Sequence, residues 1–376
     1  MNILITGGAG FIGSRLAISL IGDGHNVRIL DNFNSQIHGN SAPSLQRTFS
    51  AHGIEVIAGD IRSKEEVGAA LKDVQSIVHL ASETGTGQSM YQISNYADTN
   101  VIGTCNLVEQ IITAKSDIDC LIIASTRAVY GEGKYLCNEH GIQVPESRIP
   151  SQLIAGVYDP VCRFCQKPMT PAATDEYTPT NPKSIYGITK LAQEQIAMTA
   201  LSAIGVKTIA LRLQNVFGPG QSLNNPYTGI LSIFSKQMTN NLPIYIFEDG
   251  QESRDFVYVD DVVTAIRLAL FGKKLTETIF NVGCGSMTSV LDLVNKLKSV
   301  YESNSDVVIT GEYRIGDIRH NYADTKRSRE VLKFEPSISL DQGLQRFAKW
   351  VLQQPTLDNE YEKSLRELRT LGLLQG

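Results

Sequence analysis

Apolar positions follow two rhythms along this chain. Short unbroken runs recur at Ile3-Leu4-Ile5, Val27-Arg28-Ile29-Leu30, Ile54-Glu55-Val56-Ile57, Ile77-Val78-His79-Leu80, Leu121-Ile122-Ile123-Ala124 and Thr208 to Leu211. Between them the spacing changes to a helical period, as in Phe11, Ile12, Leu16, Ala17 and Leu20, in Lys64 to Leu71, and in Gln92 to Ala114. Short apolar runs bounded by turn residues predict buried strands, and the 3.6-residue spacing predicts helices. Regular alternation of the two predicts a doubly wound parallel sheet with helices on both faces. Residues 219–355 mix short strands and helices and predict a smaller α/β lobe. The stretch from Leu357 to Leu374 predicts a charged helix, so 356–376 is set apart as a tail. No internal repeat or low-complexity segment is present.

The first strand–helix junction carries Gly7, Gly10 and Gly13. Glycines there let the backbone turn sharply and approach a pyrophosphate, which sits on the helix N-terminus; this predicts a Rossmann-type dinucleotide site in residues 1–218, which Asp31 makes an NAD site. Alone, the triplet also fits an ordinary strand-to-helix turn. Asp31, 18 positions after Gly13, closes the second strand where a carboxylate would accept bonds from a ribose diol and repel a 2′-phosphate. Other strand ends place Phe11, Ile12, Asn32, Asp60, Ile61, Leu80, Ala81, Ser82 and Ser125 around the same cofactor, with Asp60 near the adenine and Asn100 facing back from its helix.

Composition narrows the class. At 376 residues, with 42% hydrophobic and 19% charged residues, the chain has the makeup of a soluble globular protein. A net charge of -5 without a basic block argues against nucleic acid or an anionic membrane as partner. The apolar start is broken by glycines and lacks a cationic flank, which argues against a leader. Six cysteines in such a length suggest a reducing cytoplasm.

The fifth strand ends in Ser125-Thr126-Arg127-Ala128-Val129-Tyr130-Gly131, and Ser184-Ile185-Tyr186-Gly187-Ile188-Thr189-Lys190 follows later. Tyr186 and Lys190 are four apart, so they share a helix face. A phenol is a poor base at its usual pKa of about 10, and a nearby ammonium and nicotinamide cation would lower it. Tyr186 would then exchange a proton with a sugar hydroxyl, Thr126 would share that oxygen, and Lys190 would anchor the nicotinamide ribose.

These motifs, with Leu211-Arg212-Leu213-Gln214-Asn215-Val216-Phe217-Gly218-Pro219, Arg254-Asp255-Phe256-Val257-Tyr258 and Arg314-Ile315-Gly316-Asp317, run from the glycine turn to about residue 330. The chain resembles the extended short-chain dehydrogenase/reductase family, in its nucleotide-sugar epimerase/dehydratase branch. The resemblance implies a nucleoside diphosphate sugar substrate, with Asn215, Arg254 and Arg314 at the nucleotide and its diphosphate, and Glu83, Thr126 and Asp317 also in the substrate site. It implies a homodimer packed through the helices near 95–114 and 185–204. Similar 4,6-dehydratases carry an Asp-Glu pair after the threonine; Arg127-Ala128 stand here and cannot perform that acid/base work. What remains is NAD-dependent 4-epimerisation through a transient 4-keto sugar. The stretches Glu83–Tyr91, Asn224–Ile230 and Ile246–Gly250 resemble the bacterial dTDP-L-rhamnose 4-epimerase group, which implies a dTDP-6-deoxyhexose. A UDP-hexose substrate and an NAD(P)H-dependent 4-ketoreductase stay open as alternatives.

Residues 132–180 form an insert with chemistry of its own. Cys137 and His140, then Cys162 and Cys165, make two pairs of zinc-ribbon spacing. Free cysteines in a surface loop are the alternative. Against zinc, Gln166 stands where a knuckle favours glycine; the expectation is a structural zinc beside the active-site mouth.

Overall fold

The structure, a computed structural model, describes residues 1–39, 42–114, 118–223, 225, 229–272, 275, 278–355 and 361–376. Asn224, Pro226, Tyr227 and Thr228 of one singled-out motif, and the start of the tail at 356–360, lie outside the described residues.

The apolar runs form β1 (Asn2–Thr6), β2 (Asn26–Asp31), β3 (Glu55–Ala58), β4 (Ser76–His79), β5 (Cys120–Thr126), β6 (Lys207–Leu213) and β7 (Ile279–Val282). They make one seven-stranded parallel sheet in the order β7-β6-β5-β4-β1-β2-β3. Successive side chains on a strand face opposite ways. Ile3, Ile5 and Ile29 accordingly pack with Leu16, Leu20 and Ile266 on one face. Leu4, Leu30 and Ile77 pack with Val67, Leu107 and Leu201 on the other. Helices cover both faces, so the strands need no polar side, which is why they read as continuous apolar runs.

Chain order reverses between β1 and β4, and a crevice opens there at the carboxyl ends. Two features depart from the sequence reading. The helix expected over 92–114 is divided into Ile93–Tyr96, a π-helical Ala97–Ile102 and Gly103–Thr113. The stretch 219–355 is not one lobe, because the Val259–Phe271 helix packs on the main sheet and β7 completes it beside β6. Leu332 and Phe334 also join the main core, and the smaller lobe packs around Phe217, Phe234, Leu293 and Phe347.

The tail helix, described over Tyr361–Thr370, ends before Leu374, and Leu374–Gln375 is a strand pairing antiparallel with Tyr313–Arg314. Leu365, Leu368 and Leu374 bury against Tyr91 and Phe247, which ties the tail to both lobes.

His79, at the end of β4, is wholly enclosed. Its Nδ1 lies 2.6 Å from the Thr6 hydroxyl and its Nε2 3.0 Å from that of Thr104. Burial, aided by the Lys190 charge, pushes its pKa down to about 3. The unfolded chain takes up a proton near 6.5 and the folded chain does not, so this group costs stability as pH falls below about 6.5. Burial raises Asp255 to about 6 and Glu252 to about 7, which act in the opposite direction, so the readout is a difference between proteins. Between pH 7 and 5, wild type is expected to lose about 2 kcal/mol relative to His79→Gln, measured by urea unfolding. Parallel pH profiles for the two would sink the assignment.

Candidate active site

The glycine turn fits a nucleotide because it must be bare. Gly7 has φ +67°, and a Cβ there would lie 2.6 Å from the Ala81 backbone nitrogen. The end of β1 is thus pressed against the end of β4, which leaves the N-terminus of the Phe11–Gly22 helix open to the crevice. A cleft of about 790 Å³ begins here, lined by Gly7, Gly10, Phe11, Ile12, Gly13 and Asp31. Asn32, Ile61, Leu80, Ala81, Ser82 and Ser125 continue the wall. This donor set and shape fit NAD: bare backbone and a helix N-terminus for the pyrophosphate, a carboxylate for the ribose.

Three predicted cofactor residues have roles the sequence did not reveal. Asp31 also braces the turn, since Oδ2 accepts from the Ala9 N–H and Oδ1 from the Phe33 N–H, each at 2.9 Å. Asp60 is not in the cleft lining; it holds Arg62 at 2.7 Å and Asn32 at 3.1 Å, and the Arg62 bonds outweigh burial to lower its pKa to about 2. Asn100 also stands behind the lining. Its Oδ1 accepts from the Glu83 N–H at 2.7 Å and the Ser82 hydroxyl at 3.0 Å, while Nδ2 donates to Glu83 carbonyl and to Thr189. The π-helical stretch sets Asn100 at this junction, where it clips the loop after β4 to the Tyr186–Lys190 helix. Helical irregularities of this kind gather at functional sites.

Thr126 ends β5, and Tyr186 and Lys190 stand on the first turns of the Ile185–Ser202 helix, capped by Ser184 Oγ accepting from the Gly187 N–H. Gly187 lets the two elements touch: a Cβ there would meet the Ala128 carbonyl oxygen at 2.8 Å. All three predicted catalytic residues line the cleft. Burial raises the pKa of Tyr186, and its hydrogen bond with Thr126 and the charge of Arg127 oppose that rise. Burial pushes Lys190 down to about 7 against the attraction of Glu194. The cation that opposes this rise is thus Arg127, whereas the sequence pointed to the Lys190 ammonium.

Beneath the site runs a buried chain of polar contacts. Ser125 Oγ donates to Glu194 Oε2 at 2.7 Å, and Arg212 grips the same carboxylate with Nε at 3.1 Å and Nη2 at 2.5 Å. Arg212 Nη1 reaches the Tyr130 hydroxyl at 2.9 Å, and that hydroxyl donates to Asn281 Oδ1 at 2.8 Å. Glu194 lies one helical turn beyond Lys190, which is a signal the sequence offered.

On the substrate side Glu83, Thr126 and Asn215 line the cleft, whereas Arg254, Arg314 and Asp317 form a cluster behind it. Asp317 takes Arg254 at 3.1 Å and Arg314 at 2.6 Å, and Arg314 lies over the Phe247 ring. Against burial, the guanidinium groups of Arg314, Arg254, Arg148 and Arg127 hold the Asp317 carboxyl well below the usual carboxylate range. Arg127 Nε donates to Asn215 Oδ1 at 2.8 Å, and burial beside Arg254 lowers its pKa to about 9. Among the described residues, Arg127 Nη1 and both amide atoms of Gln214, two residues that line the cleft, are buried without a protein partner. Buried polar groups are normally paired, so this gathering at one cleft marks a polar ligand's seat.

Comparison with known proteins places this geometry. The NAD dependent epimerase/dehydratase family matches residues 3–147 and 155–283. The chain belongs to that family. It is 37% identical to dTDP-L-rhamnose 4-epimerase of Burkholderia thailandensis, over 94% of this chain and 95% of the relative. A putative UDP-glucose 4-epimerase of Methanocaldococcus jannaschii is 32% identical over 93% of this chain and 98% of its own length. The solved UDP-glucose 4-epimerase of Thermotoga maritima with UDP-glucose is 29% identical, with a TM-score of 0.75, over 94% of this chain and 99% of that one. This chain is therefore an NAD-dependent enzyme of the epimerase class.

The family match is interrupted within the insert, at 148–154. There Lys134–Cys137 pairs antiparallel with Gly141–Gln143 and Thr170–Ala172. The hairpin brings Cys137, His140, Cys162 and Cys165 together, with donor atoms all within 4.8 Å of one another. Cys137 Sγ lies 3.6 Å from both His140 Nδ1 and Cys165 Sγ, and Cys162 Sγ lies 3.6 Å from His140 Nδ1. Tetrahedral zinc with bonds of 2.0–2.3 Å sets its ligands about 3.5–3.8 Å apart, so the donor set fits. The backbones of Glu139 and His140 favour the thiolate of Cys137, and those of Cys165 and Phe164 favour that of Cys162. Each knuckle is followed by a left-handed residue, Gly141 at φ +71° and Gln166 at φ +58°. Gln166 thus adopts the conformation for which glycine was expected.

Proposed function

We propose that this enzyme inverts C4 of a nucleoside diphosphate 6-deoxyhexose, with dTDP-L-rhamnose as the type of substrate. The supporting observation is the Thr126–Tyr186–Lys190 set at the cleft, followed by Arg127-Ala128 in place of an acidic pair. Tyr186 takes the proton from the C4 hydroxyl and later returns it. Thr126 shares a hydrogen bond with that oxygen and fixes the phenol's direction. Lys190 holds the nicotinamide ribose. Asp31 and the turn at Gly7, Gly10 and Gly13 hold the rest of the cofactor. NAD, when bound, supplies a reversible acceptor for the C4 hydride, so none is consumed in a complete cycle. Asn215, Arg127, Arg254 and Arg314 hold the nucleotide and its diphosphate, with Glu83 and Asp317 in the same site. Arginine suits that task because its fork of donors matches phosphate oxygens. The name of the 37% identical relative supports the dTDP-sugar, and the UDP-glucose names of the others make a UDP-hexose the second candidate.

The enzyme is read as a cytoplasmic homodimer. Ile93, Ile102 and Ile112 on one helical run, and Ile188 and Ile204 on or beside the neighbouring helix, expose apolar side chains that a second copy would cover. The six cysteines are free, as suits a reducing compartment, and no described helix is long and apolar enough to cross a membrane. A structural zinc on Cys137, His140, Cys162 and Cys165 completes the reading.

The test is an assay of purified protein with dTDP-, UDP- and GDP-sugars, product configuration being read by NMR. Inversion at C4 without added NADH is expected, fastest with a dTDP-6-deoxyhexose. Stoichiometric NADH loss would make the enzyme a ketoreductase, and no change at C4 in any sugar would remove the proposal.

A further inference from the structure

The two metal knuckles bracket a segment whose side chains reach the substrate lobe. Residues 144–161 leave the hairpin after Gln143 and return at Cys162, so an ion on the four donors closes them into a loop. Tying the ends of a loop removes conformational freedom from everything between them.

Two charged residues of this loop enter a largely buried ion lattice. Arg148 Nη1 donates to Glu248 Oε1 at 2.7 Å, Nη2 to the Asp317 carbonyl at 3.0 Å, and Nε lies 3.4 Å from Glu132. Asp159 Oδ1 accepts from Arg319 Nε at 2.8 Å. Arg319 is 1% exposed, forks onto Asp249 at 2.7 and 2.9 Å, and shares Glu248 at 3.0 Å. Its carbonyl accepts from Arg254 Nη1 at 3.0 Å, and Arg254 Nη2 holds Asp317. A continuous path therefore runs from the metal cluster to Arg254, Asp317 and Arg314. None of these links touches Gly7, Asp31 or Lys190.

We propose, resting on the zinc and substrate readings above, that the metal-closed loop is a clamp for the nucleotide-sugar half of the site. With the ion bound, Arg148 and Asp159 are held in the lattice and Arg254 and Arg314 are aimed by Asp317. Without it the loop 144–161 is released, the lattice is left with uncompensated charges, and nucleotide binding weakens while NAD stays bound. Breaking a buried ion pair from one side is costly because the other charge stays buried.

The test uses full-length protein purified without chelator, the same protein after 1,10-phenanthroline, and an Arg148→Gln variant. Zinc is measured by mass spectrometry, dTDP and UDP affinity by calorimetry, retained NAD by chromatography, and loop release by limited proteolysis with fragment mapping. About one zinc per chain is expected. Removing it should weaken nucleotide binding at least ~10-fold, open cleavage within 144–161, and leave retained NAD within about 2-fold. Arg148→Gln should weaken nucleotide binding while keeping its zinc. Less than ~0.2 zinc per chain would remove the metal reading itself. Zinc removal that leaves nucleotide affinity and the cleavage pattern unchanged would overturn the clamp alone. Loss of NAD together with nucleotide would overturn its confinement to the substrate side. Zinc-loaded protein that binds neither dTDP nor UDP would overturn the substrate reading on which the clamp rests.

Discussion

Tyr186→Phe is expected to lower kcat about 10³-fold, in the range lost with a positioned general acid–base. The change deletes one oxygen and keeps the ring that fills the space beside Thr126, so retained NAD and dTDP affinity should stay within about 2-fold. The position of the hydroxyl carries this effect. Tyr186 lines the cleft together with Thr126 and with Lys190, four positions on. Burial alone would leave the phenol too weak a base, and Arg127 works against that penalty. A variant that retains more than a tenth of the wild-type rate would show that another group moves the proton.

Glu194→Ala should have the largest effect on stability, a loss of ~3–5 kcal/mol, the cost of stranding a buried charge. Arg212 grips Glu194 with two nitrogens in the interior, and Ser125 donates to the same carboxylate. Removal leaves the guanidinium, among the described residues, with only the neutral Tyr130 hydroxyl as a hydrogen-bond partner. Urea unfolding of the variant should show a much lower midpoint at unchanged slope. A loss under ~1 kcal/mol would mean that the site's floor rearranges around the gap.

The sheet was legible because both faces are covered, so its strands are apolar throughout; β1 to β6 lie where the runs predict them, within about two residues. The glycine turn and the Tyr186–Lys190 pair were legible because each needs a fixed residue type at a fixed local spacing. Information that depends on distant contact was not. β7 reads as part of another lobe until its pairing with β6 is known. Asn100 looks like a cofactor ligand, but a π-helical turn makes it a clip between a loop and a helix. Arg254 and Arg314 carry the right charge, yet only the fold shows Asp317 between them. Gln166 counted against a metal knuckle on residue type, and its backbone nevertheless takes the left-handed turn.

The pairing of Leu374–Gln375 with Tyr313–Arg314 has a consequence for the order of assembly on the ribosome. β1 to β5, the glycine turn and Asp31 are all made within the first third of the chain and pair with near neighbours in space. The strand carrying Arg314 must wait some 60 residues for its partner, and Tyr91 waits far longer for Leu365 and Leu368. Contacts of such separation form late. The nascent enzyme therefore builds the core of its cofactor cradle early, and completes the cover of its substrate lobe only when Leu374–Gln375 reaches Tyr313–Arg314.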